Sequence, residues 1–233
     1  MHLTPYFTGR ALAYAPGQTE LRKAFALRFH VYCLEYHFLD PQAYPDGLET
    51  DADDPVSAHF LAYNRNQELV GYVRLVPPDA QNHLPWESHC TQLCDGVQQP
   101  PRADSAEISR LMVREDYRRR RGDTLSGATR PVKDPREPFD RRSASPQILL
   151  TLYRQMYQYS LTHGISHWYA AMERRLARSL KHLDFAFRQI GAQADYFGPV
   201  APYLADLREL EFRLATSHPE LLTWMREPED AAP

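Results

Sequence analysis

At 233 residues, with 43% hydrophobic and 24% charged content, the chain is long enough for a sizeable core and has a globular composition. No apolar run approaches the roughly 18 residues of a membrane span, and Met1-His2-Leu3-Thr4-Pro5 lacks a signal-peptide core, so the expected compartment is cytoplasmic. A formal net charge of −3 argues neither for nor against nucleic acid, and three cysteines in a chain of this size call for no disulfide framework.

In chain order, Leu21, Phe25, Val31, Tyr32 and Phe38 follow helical spacing, which predicts an amphipathic helix over about 19–38 with Thr19 as its cap. Arg28 and Glu35 fall on or beside its apolar stripe, either facing a pocket or snorkelling to solvent at its edge. A polar loop then carries the acidic run Glu49 to Asp54. Two strands, Ala58 to Tyr63 and Leu69 to Val76, are joined by Asn64-Arg65-Asn66-Gln67-Glu68, a hairpin by length and composition. Alternation in the second puts Arg74 on the face of Val70, Tyr72 and Val76.

Residues 77–104 are turn-rich and predict a long connection. Within it Cys90 and Cys94, beside His89, are either half of a metal site or free thiols; no second cysteine pair follows, and no metal is expected. Glu107 to Val113 reads as a strand. Residues 117–145 hold nine Lys/Arg against four Asp/Glu and several prolines, which predicts a mobile basic loop. A helix starts at Ser145-Pro146 and stops at Gly164. A strand over Ile165 to Met172, a helix over Glu173 to Ile190, a strand over Ala192 to Val200 and helices at Leu207 to Ala215 and Pro219 to Met225 complete the chain. Strands first, then strand and helix alternating, give an α/β (α+β) chain, a mixed sheet with helices on both faces, read as one domain over 1–233.

Arginines and acidic residues are rarely buried unless paired. Arg28, Arg74 and Glu107 with Arg110 recur where the pattern demands apolar residues. They predict a pocket lined by an ion-pair network with the acidic run.

The helix with Arg28 and an aromatic four residues on at Tyr32, the run Glu49-x-Asp51-x-x-Asp54, the strand ending Val73-Arg74-Leu75, and Glu107-x-Ser109-Arg110 occur in one order. That order resembles the acyl-homoserine-lactone (autoinducer) synthases and the related N-acyl amino acid synthases. The strings Val31-Tyr32-Cys33-Leu34-Glu35, Ser57-Ala58-His59-Phe60 and Leu84-Pro85-Trp86-Glu87 further resemble the acyltransferases associated with PEP-CTERM/exosortase systems. The resemblance covers about residues 20–195. It implies the fold of the GCN5-related N-acyltransferases (GNAT), with the acyl-phosphopantetheine of acyl carrier protein as donor and no tightly bound cofactor.

The chain departs from this group at two places. The coenzyme A loop of the superfamily, Gln/Arg-x-x-Gly-x-Gly/Ala at a helix start, is represented by Arg119-Arg120-Arg121-Gly122-Asp123 with a long loop behind it. The tryptophan of autoinducer synthases is replaced by Phe38. The first departure points to acyl carrier protein over coenzyme A, and the second away from S-adenosylmethionine as acceptor.

Acyl transfer from a thioester to an amine needs a neutral amine, a stabilised oxyanion and a leaving thiolate. Glu107 is the candidate general base, or a structural residue if arginines hold it ionised, with Arg110 and Arg74 beside it. Arg28, Tyr32, Phe38, Asp51, Asp54 and Ser109 are the candidate acceptor-binding residues. Asp51 and Asp54 either bind the small-molecule amine or clamp their loop over the arginines. An arginine excess would suit an amino acid carboxylate. Met112, Leu149, Leu152, Trp168 and Phe185 line an acyl tunnel or belong to plain core. Arg118, Arg119, Arg120 and Arg121, with Arg130, Lys133 and Arg136, form a solvated loop, a dock for acyl carrier protein, or a nucleic-acid contact, the last disfavoured because aromatics do not interleave there. The reading is an N-acyltransferase acting on an amino acid or related metabolite. Its alternatives are an autoinducer synthase using S-adenosylmethionine, and a non-catalytic module that binds carrier protein or RNA.

Overall fold

The computed structural model describes residues 7–118 and 145–228. The chain gathers into two compact units, one of Met1–Pro77 with Ile108–Leu152 and the other of Pro78–Glu107 with Tyr153–Pro233. Strands are hydrogen-bonded in the order β1-β2-β3-β4-β5-β8-β6, with β7 on β8, a mixed eight-stranded arrangement.

In the first unit β1 (Thr8–Ala13), β2 (Ala58–Tyr63) and β3 (Leu69–Val76) pair antiparallel. The β2–β3 turn closes because the Asn64 side-chain oxygen accepts from the Asn66 and Glu68 amides at 2.9 and 3.0 Å, the local bonding that suits Asn to turns. β2 and β3 have the expected bounds, and both are buried almost throughout. β1 was not expected from the sequence. α1 (Thr19–Phe29) corrects the longer predicted helix: it gives way at His30 to a π-helical segment, His30–Glu35, in which the Tyr36 amide donates five residues back to the Val31 carbonyl. Gln18, not Thr19, stands at its N-cap, and no side chain caps it.

β4 (Ser105–Val113) and α2 (Ser145–His163) each run from one unit into the other. The first two turns of α2 pack on β3 over Gly71, where a Cβ would stand 2.5 Å from Ile148, so no larger residue fits without movement. Gly164, in left-handed backbone (φ 72°), follows α2 as the sequence predicted.

In the second unit the first three residues of β4 pair parallel with β5 (His167–Met172), and β5 pairs antiparallel with β8 (Pro199–Asp206). Short β6 (Arg188–Gln189) and β7 (Ala194–Asp195) also join β8. The helix expected over Glu173 to Ile190 is shorter, α3 (Arg174–His182); Asp184 takes left-handed backbone (φ 56°) just past its end. Of the strand expected over Ala192 to Val200, only β7 and the first two residues of β8 are strand, and β8 runs on to Asp206. Asp206 caps α4 (Leu207–Ser217) by accepting from the Arg208 amide at 2.8 Å, and α5 (Pro219–Arg226) follows. Trp86, Leu84 and Cys90 of the long connection pack with Tyr169, Ile190, Val200 and Leu204. Among the described residues no helix is long and apolar enough to cross a membrane.

Candidate active site

The acidic segment is tied to α1 by its backbone, the Glu49 amide donating to the Phe25 carbonyl at 3.1 Å. That anchor sets Glu49 against Arg28, one turn further along the helix. Arg28 is fully buried; its Nε donates to Glu49 and its Nη1 to Asp54 Oδ1 at 2.5 Å. Arg74, on β3 and 1% exposed, donates to Asp54 Oδ1 at 2.6 Å and through both terminal nitrogens to Asp51, at 2.5 and 2.8 Å. Arg110 on β4 donates to Asp51 Oδ2 at 2.9 Å and to Glu49 Oε1 at 3.2 Å. Asp53 stands 3.5 Å from Arg74. The predicted ion pairs between the three arginines and the acidic run are therefore present, with the acidic segment as their clamp.

Asp54 also shapes the loop, its second oxygen accepting from the Asp51 amide at 2.8 Å. Its backbone carbonyl lies 3.0 Å from His59 Nε2, while His59 Nδ1 is 2.7 Å from the Tyr72 hydroxyl. A carbonyl only accepts, so Nε2 carries the proton and Nδ1 accepts from Tyr72. Burial lowers the His59 pKa and keeps the ring neutral beside the arginines.

Electrostatically the carboxylates differ. Burial alone would raise Glu49 and Asp51, but the hydrogen bonds and charges of the arginines prevail: Glu49 is lowered and Asp51 falls well below the usual carboxylate range. Asp53 is raised, by burial and then by the Asp51 charge. The expected arginine excess is not found: among the described residues the network sets Arg28, Arg74 and Arg110 against Glu49, Asp51, Asp54 and Asp53, and its most exposed members are Asp51 (24%) and Asp53 (39%).

Arg110 has left-handed backbone (φ 57°), unusual for a non-glycine residue inside a strand. Glu107 and Arg110 are three apart, so a regular strand would send them to opposite faces. The left-handed residue breaks the extended run at the end of this span, and it is the conformation in which one kind of β-bulge begins. The Arg110 guanidinium also lies 5.1 Å from the Tyr32 ring centre. Burial pushes the Tyr32 hydroxyl pKa up, and its ring is 6.0 Å from Phe38. Ser109 is buried in β4.

Glu107 belongs to the second unit, where its buried carboxylate accepts from the Trp86 amide at 2.8 Å. Its expected approach to Arg74 would link the two units and stays an expectation. Arg118 is not the exposed docking contact expected: it is 7% exposed and bound to Glu35 and the Tyr36 hydroxyl. That ion pair also answers the alternatives for Glu35. Arg119, Arg120 and Arg121, like all of the expected basic loop except residues 117, 118 and 145, lie outside the described residues. Met112, Leu149, Leu152, Trp168 and Phe185 are buried. Cys90 is buried and Cys94 exposed, and neither is in a disulfide. His30, Glu35 and Glu115 bring potential ligand atoms within 4.8 Å of one another, but Glu35 is already engaged by Arg118.

Glu49 and His59 were not selected from the sequence as site residues. Glu49 stood in the acidic run, and its two-residue spacing from Asp51 was the available signal. A lone histidine in a strand gave none.

Residues 27–127 match the family described as acetyltransferase (GNAT) domain, a span that contains every residue of this network. The solved structure of BjaI, described as a CoA-dependent acyl-homoserine lactone synthase with SAM and isopentyl-CoA, aligns at 22% identity and TM-score 0.61 over 90% of this chain and 88% of that one. The acyl-homoserine lactone synthase LasI aligns at 12% identity and TM-score 0.58, over 87% and 91%. FeeM, described as an N-acyl amino acid synthase from uncultured soil microbes, aligns at 17% identity and TM-score 0.49, over 90% and 96%. No curated protein matches the chain. The chain has the GNAT fold, a mixed sheet flanked by helices.

Proposed function

We propose that this chain, built on the GNAT fold, is an N-acyltransferase moving a fatty acyl group from the phosphopantetheine thioester of acyl carrier protein to the amine of an amino acid or related small metabolite. The observation that best supports it is the meeting of Arg28, Asp51, Asp54, Arg74 and Arg110, spread over 83 positions of sequence (110 − 28 + 1), in one buried network with Tyr32 against Arg110. These are the residues whose order resembles the autoinducer and N-acyl amino acid synthases.

In this reading the amine nitrogen attacks the thioester carbonyl. A C–N bond forms, the C–S bond breaks, and the amine proton passes through water to the Glu107 carboxylate while sulfur leaves as the thiolate. A backbone N–H of β4 meets the oxyanion. The acceptor approaches the partly exposed edge of Asp51 and Asp53 as its ammonium, loses one proton to solvent to become the attacking amine, and gives up the second on acylation. This replaces the carboxylate-on-arginine contact, because the arginines already have carboxylate partners. Phe38 and Ser109 complete the acceptor site, and the whole chain acts as one acyltransferase domain. The cytoplasmic setting and the PEP-CTERM/exosortase association rest on the sequence resemblance and belong to the same proposal.

A second reading takes coenzyme A as donor and S-adenosylmethionine as acceptor. It is favoured by the likeness to BjaI, whose description names both. One assay separates them: purified protein with acyl-carrier protein or acyl-coenzyme A, offered an amino acid mixture or S-adenosylmethionine, with products read by mass spectrometry. N-acyl amino acid from the carrier-protein thioester, and far less from coenzyme A, is the expected result. Lactone would select the autoinducer reading, and no acylated product from any pair would leave a non-catalytic binder. Charge reversal at Arg119 and Arg120 is expected to raise KM for the carrier protein, more so at low salt.

A further inference from the structure

In the second unit the Glu107 carboxylate is held by a backbone amide in a tight turn, and that turn is itself held from outside. Pro85–Ser88 forms one turn of 3-10 helix. Its Glu87 side chain reaches back to accept from the Leu84 amide at 2.7 Å, the half of a capping box that closes the turn's start. The other Glu87 oxygen accepts from Arg102 Nη2 at 2.6 Å, and the same nitrogen also bonds Gln99. The Trp86 indole is stacked on Tyr169, with ring centres 5.5 Å apart and an interplanar angle of 15°, and the Arg102 guanidinium lies 4.8 Å from the centre of the Tyr169 ring. Tyr169 is in turn the register partner of Glu107 across the parallel β4–β5 pair. Arg102 thus bears on both sides of one short circuit: through Glu87 it fixes the turn that offers the Trp86 N–H, and through Tyr169 it backs the ring on which Trp86 rests.

We propose that Arg102 and Glu87 are positioning residues for Glu107, holding the Trp86 amide on its carboxylate so that the base stays ionised and aimed. Neither touches the reacting atoms. The proposal rests on Glu107 being the general base of the reaction proposed above. It gives the string Leu84-Pro85-Trp86-Glu87 a physical role that the network of the first unit does not supply. The titratable neighbours in this unit include Glu87, paired with Arg102, Cys90, whose thiol pKa is raised by burial and then by the Glu107 charge, and Tyr169, raised by burial. Cys90 and Tyr169 belong to the alkaline side of a pH–rate profile, and the acid limb that remains in Glu87→Gln, where the second carboxyl of the circuit is gone, reports Glu107.

The test compares Arg102→Ala, Arg102→Lys, Glu87→Gln and Glu107→Gln, alone and with Arg102→Ala combined with Glu107→Gln, in the acyl-transfer assay across pH. Arg102→Ala is expected to lower kcat by about tenfold, less than the 10²–10⁴ loss typical of removing a general base. KM for either substrate should change little. The acid limb should move to higher pH, because a carboxylate that loses an N–H donor is protonated more readily. Arg102→Lys should recover most of that shift. Adding Arg102→Ala to Glu107→Gln should cost nothing further, since the two act in series. An unshifted acid limb in both Arg102→Ala and Glu87→Gln, with Glu107→Gln strongly impaired, would overturn the positioning role and leave the base assignment standing. Full activity in Glu107→Gln would instead overturn the base assignment itself. If Arg102→Ala does not fold, Glu87→Gln carries the same comparison.

Discussion

Two buried carboxylate environments, one in each unit, solve the same problem in different ways. Glu49, Asp51 and Asp54 are met by guanidinium groups, with Arg28, Arg74 and Arg110 making contacts that lower Glu49 and Asp51. Glu107 accepts a hydrogen bond from the amide of Trp86, a donor without formal charge, among its contacts. A full positive charge suppresses proton affinity far more than a dipole does. The first set is therefore suited to fixing a loop and presenting a charged edge, whereas the Trp86 amide fixes where the Glu107 carboxylate sits without adding a charge of its own.

The strongest way to break this contrast is Arg74→Ala, which strips Asp51 of its bidentate partner and leaves the buried Asp54 with Arg28 as its remaining guanidinium. A loss of about 3–5 kcal/mol in urea unfolding is expected, the usual cost of orphaning a buried charge. A variant as stable as the parent would mean that the clamp holds nothing.

A smaller effect should appear on acidification. Glu49 and Asp51 have folded-state pKa values below those of the unfolded chain, so their contribution is fully present above the ordinary carboxylate range. It is lost as pH falls through the folded values. Urea midpoints should fall steadily below about pH 4.5, and Asp51→Asn should flatten that slope. A midpoint independent of pH down to about 3 would contradict the assignment.

The smallest and sharpest test is Asp53→Asn. Its carboxyl is raised, by burial and then by Asp51, so at neutral pH its charge opposes folding, opposite in sign to Asp51. Partial exposure keeps the effect small, and thermal unfolding should rise by less than about 3 °C. A fall would show that Asp53 is a working partner of Arg74.

What was legible in the sequence follows from how local each signal is. β2 and β3 were read with correct bounds because alternation and the Asn64–Glu68 turn are contained within them. β8 was missed because Pro199 and Pro202 argue against a strand, while the ladder tolerates them beside β5 and β7. The helix after Glu173 was drawn too long because no sequence feature marks the left-handed turn at Asp184. In the site, Arg28, Arg74 and Arg110 stood out as charges in apolar elements, and the acidic run supplied partners by count alone. Which carboxylate meets which arginine depends on how the loop folds back on α1 through Glu49 and Phe25, and no spacing encodes that.

The π-helical segment after α1 has a consequence for how this chain aligns with others. One residue advances an α-helix by 100°, so a turn that closes five residues back accommodates an inserted residue and resets the faces beyond it. Arg28 lies before that segment, and Tyr32, against which Arg110 packs, lies within it. In an alignment, a one-residue gap in a relative with a plain helix belongs between His30 and Glu35, and its aromatic would be displaced by one position. Deleting His30 or Val31 would change the angle between Arg28 and Tyr32 around the helix by about 100° while removing neither residue. At this point the chain is constrained by its length more than by its composition.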